Sequence, residues 1–160
     1  MPPPVAIELD GVVGDTRPLW DDWLEDAARR YRSIAPLEPS DLPSDRGEAA
    51  RELDAWAEQG VGDWRASLAR FAEDRAPVYL RPDAEVSAAL RQLAAQGSRL
   101  GVFTDAPEAL ARIAVSQLGA ERRIEALETG EGALDRLVEK LGPDTLVVRT
   151  RSELPLQFGT

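Results

Sequence analysis

Residues 5–16 have the sequence V-A-I-E-L-D-G-V-V-G-D-T. Its apolar, β-branched run at 5–9, interrupted by Glu8 and closed by Asp10-Gly11, predicts a buried strand that ends in a turn. A similar run at 99–104, R-L-G-V-F-T, predicts a second buried strand ending at Thr104. Shorter apolar runs at 124–127 and 145–148 predict two more strands.

Helical patterns occupy the chain between these strands, because apolar residues recur there at three- and four-residue steps. The predicted helices lie at 17–31, 48–59, 62–74, 83–97, 107–118 and 132–141. Three prolines between 35 and 46 predict a loop there, and residues 77–82 are expected to break the helical pattern. Strands that alternate with helices favour an α/β fold with a parallel sheet and helices on both faces, as in Rossmann-like proteins.

The first crossover is exceptional, because about ninety residues separate the first two strands, far more than one helix requires. We therefore expect a small α-helical cap at 15–82, inserted into an α/β core formed by 1–14 and 83–160. Four tryptophans lie on the apolar faces of the predicted cap helices and are expected to fill the core of the cap. They are Trp20, Trp23, Trp56 and Trp64.

Composition restricts the chemistry that the chain can perform. The 160 residues include no cysteine and no histidine, which excludes thiolate and imidazole metal ligands and every Ser-His or Cys-His pair. Carboxylates remain as acid-base groups. The net charge of −10 disfavours a nucleic-acid partner, and no apolar run is long enough to predict a membrane span. The opening Met-Pro-Pro-Pro lacks the pattern of a secretory signal, so a cytoplasmic protein is expected.

Two segments resemble motifs of one known superfamily. Residues 6–16, A-I-E-L-D-G-V-V-G-D-T, resemble the first motif of the haloacid dehalogenase-like (HAD) hydrolases, an apolar strand followed by D-x-D-G-T-x-x-D-S/T. Residues 100–107, L-G-V-F-T-D-A-P, resemble the second motif, a strand that ends in Thr or Ser. A cap directly after the first motif is similar to the branch with phosphoglycolate phosphatase and β-phosphoglucomutase. The resemblance implies a sheet of four strands in the order 3-2-1-4.

The resemblance also implies roles for individual residues. In the family the first aspartate is the nucleophile, the second is the general acid-base, and the Thr or Ser of the second motif holds a phosphate oxygen. Asp10, Gly11 and Thr104 match this pattern, whereas Glu8 stands at the position of the nucleophile. A dehalogenase is disfavoured, because that chemistry relies on the same first aspartate.

The third and fourth motifs depart from the family. The family lysine that neutralises the nucleophile and phosphate falls on Glu128, and the acids that hold Mg²⁺ fall on Arg149-Thr150. Lys140, the single lysine, is expected to lie away from the strand ends, which leaves the cationic role of the third motif vacant. Since the charges have exchanged places, we expect Arg149 or Arg151 to reach Glu8, Asp10 or Glu128 and to exclude Mg²⁺.

Structural roles compete with these functional ones. Glu8 and Asp10 can cap the turn after the strand, and Thr104 can simply end a strand. Asp105, which precedes Ala106-Pro107, is most simply the N-cap of the next helix. Asp15 or Thr16 can likewise cap the predicted helix at 17–31, which contains Trp20. The two arginines after the fourth strand can also point to solvent.

Two functions follow from these considerations. The first is a catalytically silent HAD-like protein that binds a small phosphorylated molecule or a protein partner. Its binding residues would be Gly11, Asp105, Glu128, Arg149 and Arg151, and no cofactor or metal is expected. The alternative is a Mg²⁺-dependent phosphohydrolase of reduced or altered activity. It would use Glu8, Asp10 and Thr104 for catalysis, with Glu8 and Asp10 also available as metal ligands.

Overall fold

A parallel sheet forms the centre of the chain, which a computed structural model describes over residues 2–156. Its strands are β1 (Val5–Glu8), β2 (Leu100–Thr104), β3 (Ala126–Thr129) and β4 (Leu146–Val148). The order β3-β2-β1-β4 confirms the predicted α/β architecture and strand order. Val5 is in register with both Leu100 and Leu146, so the carboxyl ends of the strands lie along one edge.

Helices surround this sheet and confirm the predicted alternation. They are α1 (Arg17–Arg30), α2 (Arg46–Ala57), α3 (Trp64–Tyr79), α4 (Ala84–Ala95), α5 (Glu108–Gln117), α6 (Ala133–Leu141) and α7 (Glu153–Leu156). Short 3₁₀ turns occur at Pro39–Asp41 and Glu121–Arg123. The predicted core range extends beyond the described residues at both ends of the chain.

Two helix boundaries differ from the predictions. Helix α2 begins at Arg46, a residue that the proline pattern assigned to the preceding loop. Helix α3 continues through Pro77 to Tyr79, so the predicted break there was wrong. Proline removes one backbone donor, but Leu80 N–H still bonds the Ala76 carbonyl at 2.7 Å, and both residues are buried. Packing of the last turn therefore outweighs the missing hydrogen bond.

Apolar residues cover both faces of the sheet. Val5, Ile7 and Val102 pack against α4 and α5 on one face, through residues such as Leu90 and Val115. On the other face Ala6 and Phe103 pack against Leu137 and Leu141 of α6. This alternation along β1 follows from the two-residue period of a strand. Both faces of β1 and β2 are thereby covered by apolar residues.

The helices α1, α2 and α3 form a separate apolar cluster, which also includes Ala106 and Leu110 beside the sheet. All four tryptophans are buried in it, as predicted. Trp23 is central: its ring lies 5.5 Å from that of Trp20 and 5.7 Å from that of Trp64. Its Nε1 donates to Ser67 Oγ at 3.2 Å. These three helices, called the cap helices or the cap below, thus pack beside the residues that follow β2, and the sheet with its other helices is called the core. None of the helices in residues 2–156 combines the length and apolarity that a membrane span requires.

Substitution of Trp23 tests this aromatic core. Because Trp23 is 1% exposed, Trp23→Ala is expected to lower the free energy of unfolding by about 3–5 kcal/mol. Val78→Ala is the control, since Val78 is 70% exposed and its loss should change stability by less than about 0.5 kcal/mol. Urea unfolding followed by circular dichroism measures both, and equal effects of the two variants would contradict the packing described here.

Candidate functional site

A cavity of about 300 Å³ opens at the carboxyl edge of the sheet, beneath the cap helices. Its wall includes five of the residues that the sequence predicted for the site. They are Glu8, Asp10, Thr104, Asp105 and Arg149. The other three predicted residues, Gly11, Glu128 and Arg151, are not part of this wall.

Asp10 lies at the centre of the site, directly after β1 and Leu9. The chain turns away at Gly11, whose φ of +96° is a conformation that favours glycine. The Oδ1 atom of Asp10 accepts hydrogen bonds from Thr16 N at 2.8 Å and from Thr16 Oγ1 at 2.6 Å. The Oδ2 atom accepts from Thr104 Oγ1 at 2.9 Å and from Arg46 Nη2 at 2.5 Å. Because a carboxylate has about four lone-pair positions, these donors use all of them.

Arg46, the first residue of α2, contributes a completely buried guanidinium to the site. Besides Asp10, its Nη2 donates to Asp105 Oδ1 at 2.9 Å, and its Nε donates to the same oxygen at 3.1 Å. Its Nη1 donates to Thr16 Oγ1 at 2.6 Å. We call Arg46, Asp10, Asp105, Thr16 and Thr104 the Arg46 cluster. In this cluster every guanidinium nitrogen has an acceptor, as a buried charge requires.

Asp105 joins the cap to the core instead of capping a helix. Its Oδ2 accepts the backbone N–H of Arg46 at 2.9 Å, and Arg17 Nη2 approaches the same oxygen at 3.4 Å. The N-cap position of α5 is occupied by Pro107, so the prediction that Asp105 caps this helix was wrong. The reason is that the buried Arg46 guanidinium needs carboxylate partners, and Asp105 is one of them.

Two residues beside Arg46 position it. Asp45 is the N-cap of α2 and accepts the N–H of Glu48 at 2.9 Å, which fixes the start of the helix. Gly47 allows a close approach, because a Cβ there would lie 2.8 Å from the backbone nitrogen of Glu131. These two features hold the first turn of α2 against the loop after β3, with the Arg46 side chain extending into the site.

The pKa of Asp10 is lowered by its surroundings. Burial is the largest influence and by itself raises the pKa, but it is outweighed by the Arg46 charge together with the hydrogen bonds from Thr16 and Thr104. Asp10 is therefore a carboxylate at neutral pH. A general acid works best with a pKa near the working pH, so this environment disfavours a proton-donating role.

Glu8 and Arg149 form a second ion pair at the strand ends. Arg149 Nη1 lies 3.2 Å from Glu8 Oε2, as expected from the prediction that an arginine after β4 reaches the acids of β1. The guanidinium of Arg149 also lies 5.5 Å from the centre of the Phe103 ring. Arg151 points elsewhere, since its Nε donates to the Val12 carbonyl at 2.9 Å and its Nη1 lies 3.2 Å from Asp83.

Glu128 pairs with two cations of α6. Arg136 Nε lies 3.0 Å and Lys140 Nζ lies 2.5 Å from its carboxylate. The hydrogen bond from Lys140, together with the bond from Arg136 and both charges, holds the pKa of Glu128 below its usual value despite opposing desolvation. The expectation that Lys140 lies away from the strands was wrong, because residues four apart on a helix share one face. Arg136 and Lys140 thereby both reach β3.

The residues of the site do not fit a divalent metal ion. Mg²⁺ prefers oxygen ligands in octahedral geometry, but both oxygens of Asp10 are occupied by protein donors and a guanidinium lies against one of them. Glu8 faces a second guanidinium. Within residues 2–156, no group of three acidic side chains has an arrangement that could hold a metal. The position that would attract Mg²⁺ in an acidic pocket is thus filled by positive charge.

Comparisons with known proteins agree with this architecture. A phosphoglycolate phosphatase from Rhodospirillum rubrum is 32% identical over 170 aligned positions, which cover 98% of this chain. The chain spans 65% of the length of that relative. The fold also matches a HAD phosphatase from Thermococcus onnurineus, with a TM-score of 0.55, 13% identity and coverage of 98% of both chains. These comparisons show that the chain has a HAD-like fold. No family model matches the sequence.

Two further solved structures bear the names of the branch that the sequence resembles. A putative β-phosphoglucomutase from Thermotoga maritima has a TM-score of 0.57 and 18% identity, with coverage of 91% of this chain and 74% of its own. A predicted phosphoglycolate phosphatase from Haemophilus somnus has a TM-score of 0.57 and 15% identity, with coverage of 92% and 76%. These similarities agree with the predicted resemblance to this branch.

Arg46 is the site residue that sequence reasoning missed. It follows a proline-rich loop and matches no HAD motif. One weak indication was present, because a cation in the first turn of a helix opposes the helix dipole and needs a compensating partner. Asp45, a good N-cap residue, marked the helix start that placed Arg46 in this turn.

Loss of the Arg46 side chain is expected to destabilise the protein strongly. Arg46→Ala leaves Asp10 and Asp105 without their buried partner, which should cost about 3–5 kcal/mol of unfolding free energy. Arg51→Ala is a matched control in the same helix, because the Arg51 side chain is 70% exposed and its pair with Glu131 should contribute less than about 1 kcal/mol. Urea unfolding at neutral pH measures both, and a small effect of Arg46→Ala would contradict the buried pairing.

The lowered pKa of Asp10 predicts a pH dependence of stability. A carboxyl whose pKa is depressed by folding stabilises the protein above its unfolded value near 3.8 and loses this effect as pH falls through the folded pKa. The wild type should therefore be more stable than Asp10→Asn at neutral pH, and the gap should narrow below about pH 4. Urea unfolding across this range measures the gap. A gap that stays constant or widens in acid would contradict an ionised, paired Asp10.

Proposed function

We propose that this HAD-like protein is catalytically silent as a phosphatase and acts through binding. The observation that supports this most directly is the Arg46 guanidinium, 2.5 Å from Asp10 Oδ2 and itself fully buried. The resemblance gives Asp10 the role of general acid-base, but an ionised carboxylate with every lone pair engaged has no proton to donate and no free oxygen to accept one.

The remaining catalytic positions support the same proposal. Glu8, at the position of the nucleophile, is longer than aspartate by one methylene and is paired with Arg149. A displacement of about 1 Å in a reacting group can reduce a rate by on the order of a hundredfold. The position of the family lysine holds Glu128, whose charge is paired with Arg136 and Lys140. Loss of one fixed stabiliser typically costs a further factor of about 10² to 10³.

The ligand that we propose is a small phosphorylated molecule or a protein partner in the cytoplasm. Five carboxylates line the cavity together with Arg17 and Arg149, whose side chains are 49% and 56% exposed. A phosphorylated ligand would therefore have to bind through these two arginines. The net charge of −10 continues to disfavour nucleic acid and anionic membrane surfaces.

A second candidate is a Mg²⁺-dependent phosphohydrolase of reduced or altered activity. The comparisons favour it over the silent protein, because the curated relative is a phosphoglycolate phosphatase at 32% identity. In this alternative, Asp10 would be the acid-base, Glu8 the nucleophile or metal ligand, and Thr104 the phosphate holder. It requires Arg46 to leave Asp10, since a guanidinium and a divalent cation cannot occupy the same oxygen.

Phosphatase assays separate the two candidates. Purified protein is incubated with an aryl phosphate and with phosphoglycolate, each with Mg²⁺ and with a chelator. We expect no turnover above that of Glu8→Ala and Asp10→Ala prepared in the same way, because these controls contain the same trace contaminants. Metal-dependent turnover in the wild type that disappears in Glu8→Ala and with chelator would overturn the proposal in favour of the phosphohydrolase.

A further inference from the structure

The Arg46 cluster has the features of a ligand site whose ligand belongs to the same chain. Arg46 comes from the cap, whereas Asp10, Thr104 and Asp105 follow the strands β1 and β2 of the core. The acceptors surround the planar guanidinium, with Thr16 Oγ1 on Nη1, Asp10 and Asp105 on Nη2, and Asp105 on Nε. Thr104 Oγ1 lies at the longer distance of 3.5 Å from Nη2.

The acceptors are held in place by bonds that do not involve the Arg46 guanidinium. Thr16 N, Thr16 Oγ1 and Thr104 Oγ1 all donate to Asp10, and none of these bonds involves Arg46. Thr104 Oγ1 in turn accepts the backbone N–H of Ala106 at 3.2 Å. Both threonine side chains are almost entirely buried. Removal of the Arg46 side chain would therefore leave a site with oriented acceptors, which is the condition for specific binding.

The geometry points to a guanidinium-binding site in the core, with Arg46 as its tethered ligand that holds helix α2 on the strand ends. Acceptors in fixed directions suit the planar donors of a guanidinium, whereas an ammonium is a compact point charge without such directions. The ligand class that could replace Arg46 is thus a free guanidinium compound or the arginine side chain of a partner. This inference goes beyond the proposed function, because it holds whether or not the cavity hydrolyses phosphate esters.

Tethering explains why the site is filled in the wild type. A ligand attached to the same chain has an effective concentration in the millimolar range or above, so a free ligand at similar concentration competes poorly. Only a variant without the guanidinium at residue 46 should accept a small guanidinium compound from solution. This difference between variants provides the test.

The experiment is a thermal-unfolding titration of Arg46→Ala with methylguanidinium, with methylammonium at equal ionic strength as the matched cation. We expect a saturable rise in Tm with methylguanidinium and none with methylammonium. At ten times the dissociation constant, the folding equilibrium constant should rise about elevenfold. The wild type and Arg51→Ala should not respond, because both retain Arg46. No response of Arg46→Ala, or an equal response to methylammonium, would overturn the inference.

Two further measurements keep the test decisive. If Arg46→Ala is largely unfolded alone, the same titration is followed as refolding by circular dichroism, with the same expected specificity. The double variant Arg46→Ala/Asp105→Asn should lose the response to methylguanidinium, because one of the two carboxylates is gone. Retention of the full response in the double variant would place binding elsewhere and overturn the inference.

Mg²⁺ is included as a third titrant. If Arg46→Ala were stabilised by Mg²⁺ more than by methylguanidinium, the acids would form a metal site and the inference would fail. This outcome is distinguishable from failure of the proposed function, which depends on turnover by the wild type. Phosphatase activity of the wild type, together with stabilisation of Arg46→Ala by methylguanidinium alone, would overturn only the proposed function.

Discussion

The structure depends on the ion pairs between one arginine of the cap and two aspartates of the core. A buried guanidinium without partners would be very unfavourable, so Arg46, Asp10 and Asp105 are stable only when the cap lies on the strand ends. The same contacts keep Asp10 ionised and place the first turn of α2 over the sheet edge. The position of the cap, the charge state of the site and the shape of the cavity therefore share one physical cause.

The acids at the other strand ends are also paired with positively charged side chains of the protein. Glu8 pairs with Arg149, and Glu128 pairs with Arg136 and Lys140. Eighteen of the nineteen basic residues are arginines, whose planar donors suit carboxylates better than the point charge of lysine does. HAD-like architecture is thereby retained without requiring a divalent ion to balance the acids.

The fold could be predicted from local patterns, because strand runs and helical spacing are encoded in neighbouring residues. The pairing of Arg149 with Glu8 was also accessible, since the family strand order places β4 beside β1. Arg46 was not accessible, because it is 36 residues from Asp10 and 59 from Asp105, and only the docking of α2 brings them together. The position of Lys140 was predicted wrongly, because only its place near the end of α6 was considered. The side of α6 that carries Lys140 faces β3.

In the wild type, the Arg46 guanidinium lies against the Asp10 carboxylate, where a divalent ion would otherwise bind. Anomalous diffraction from wild-type crystals soaked in Mn²⁺ tests it most directly, because Mn²⁺ reports metal positions by its own scattering. We expect no anomalous peak within coordination distance of Asp10, and electron density for the Arg46 side chain against the Asp10 carboxylate. An anomalous peak about 2.1 Å from Asp10 and Glu8 oxygens, with Arg46 displaced, would contradict it.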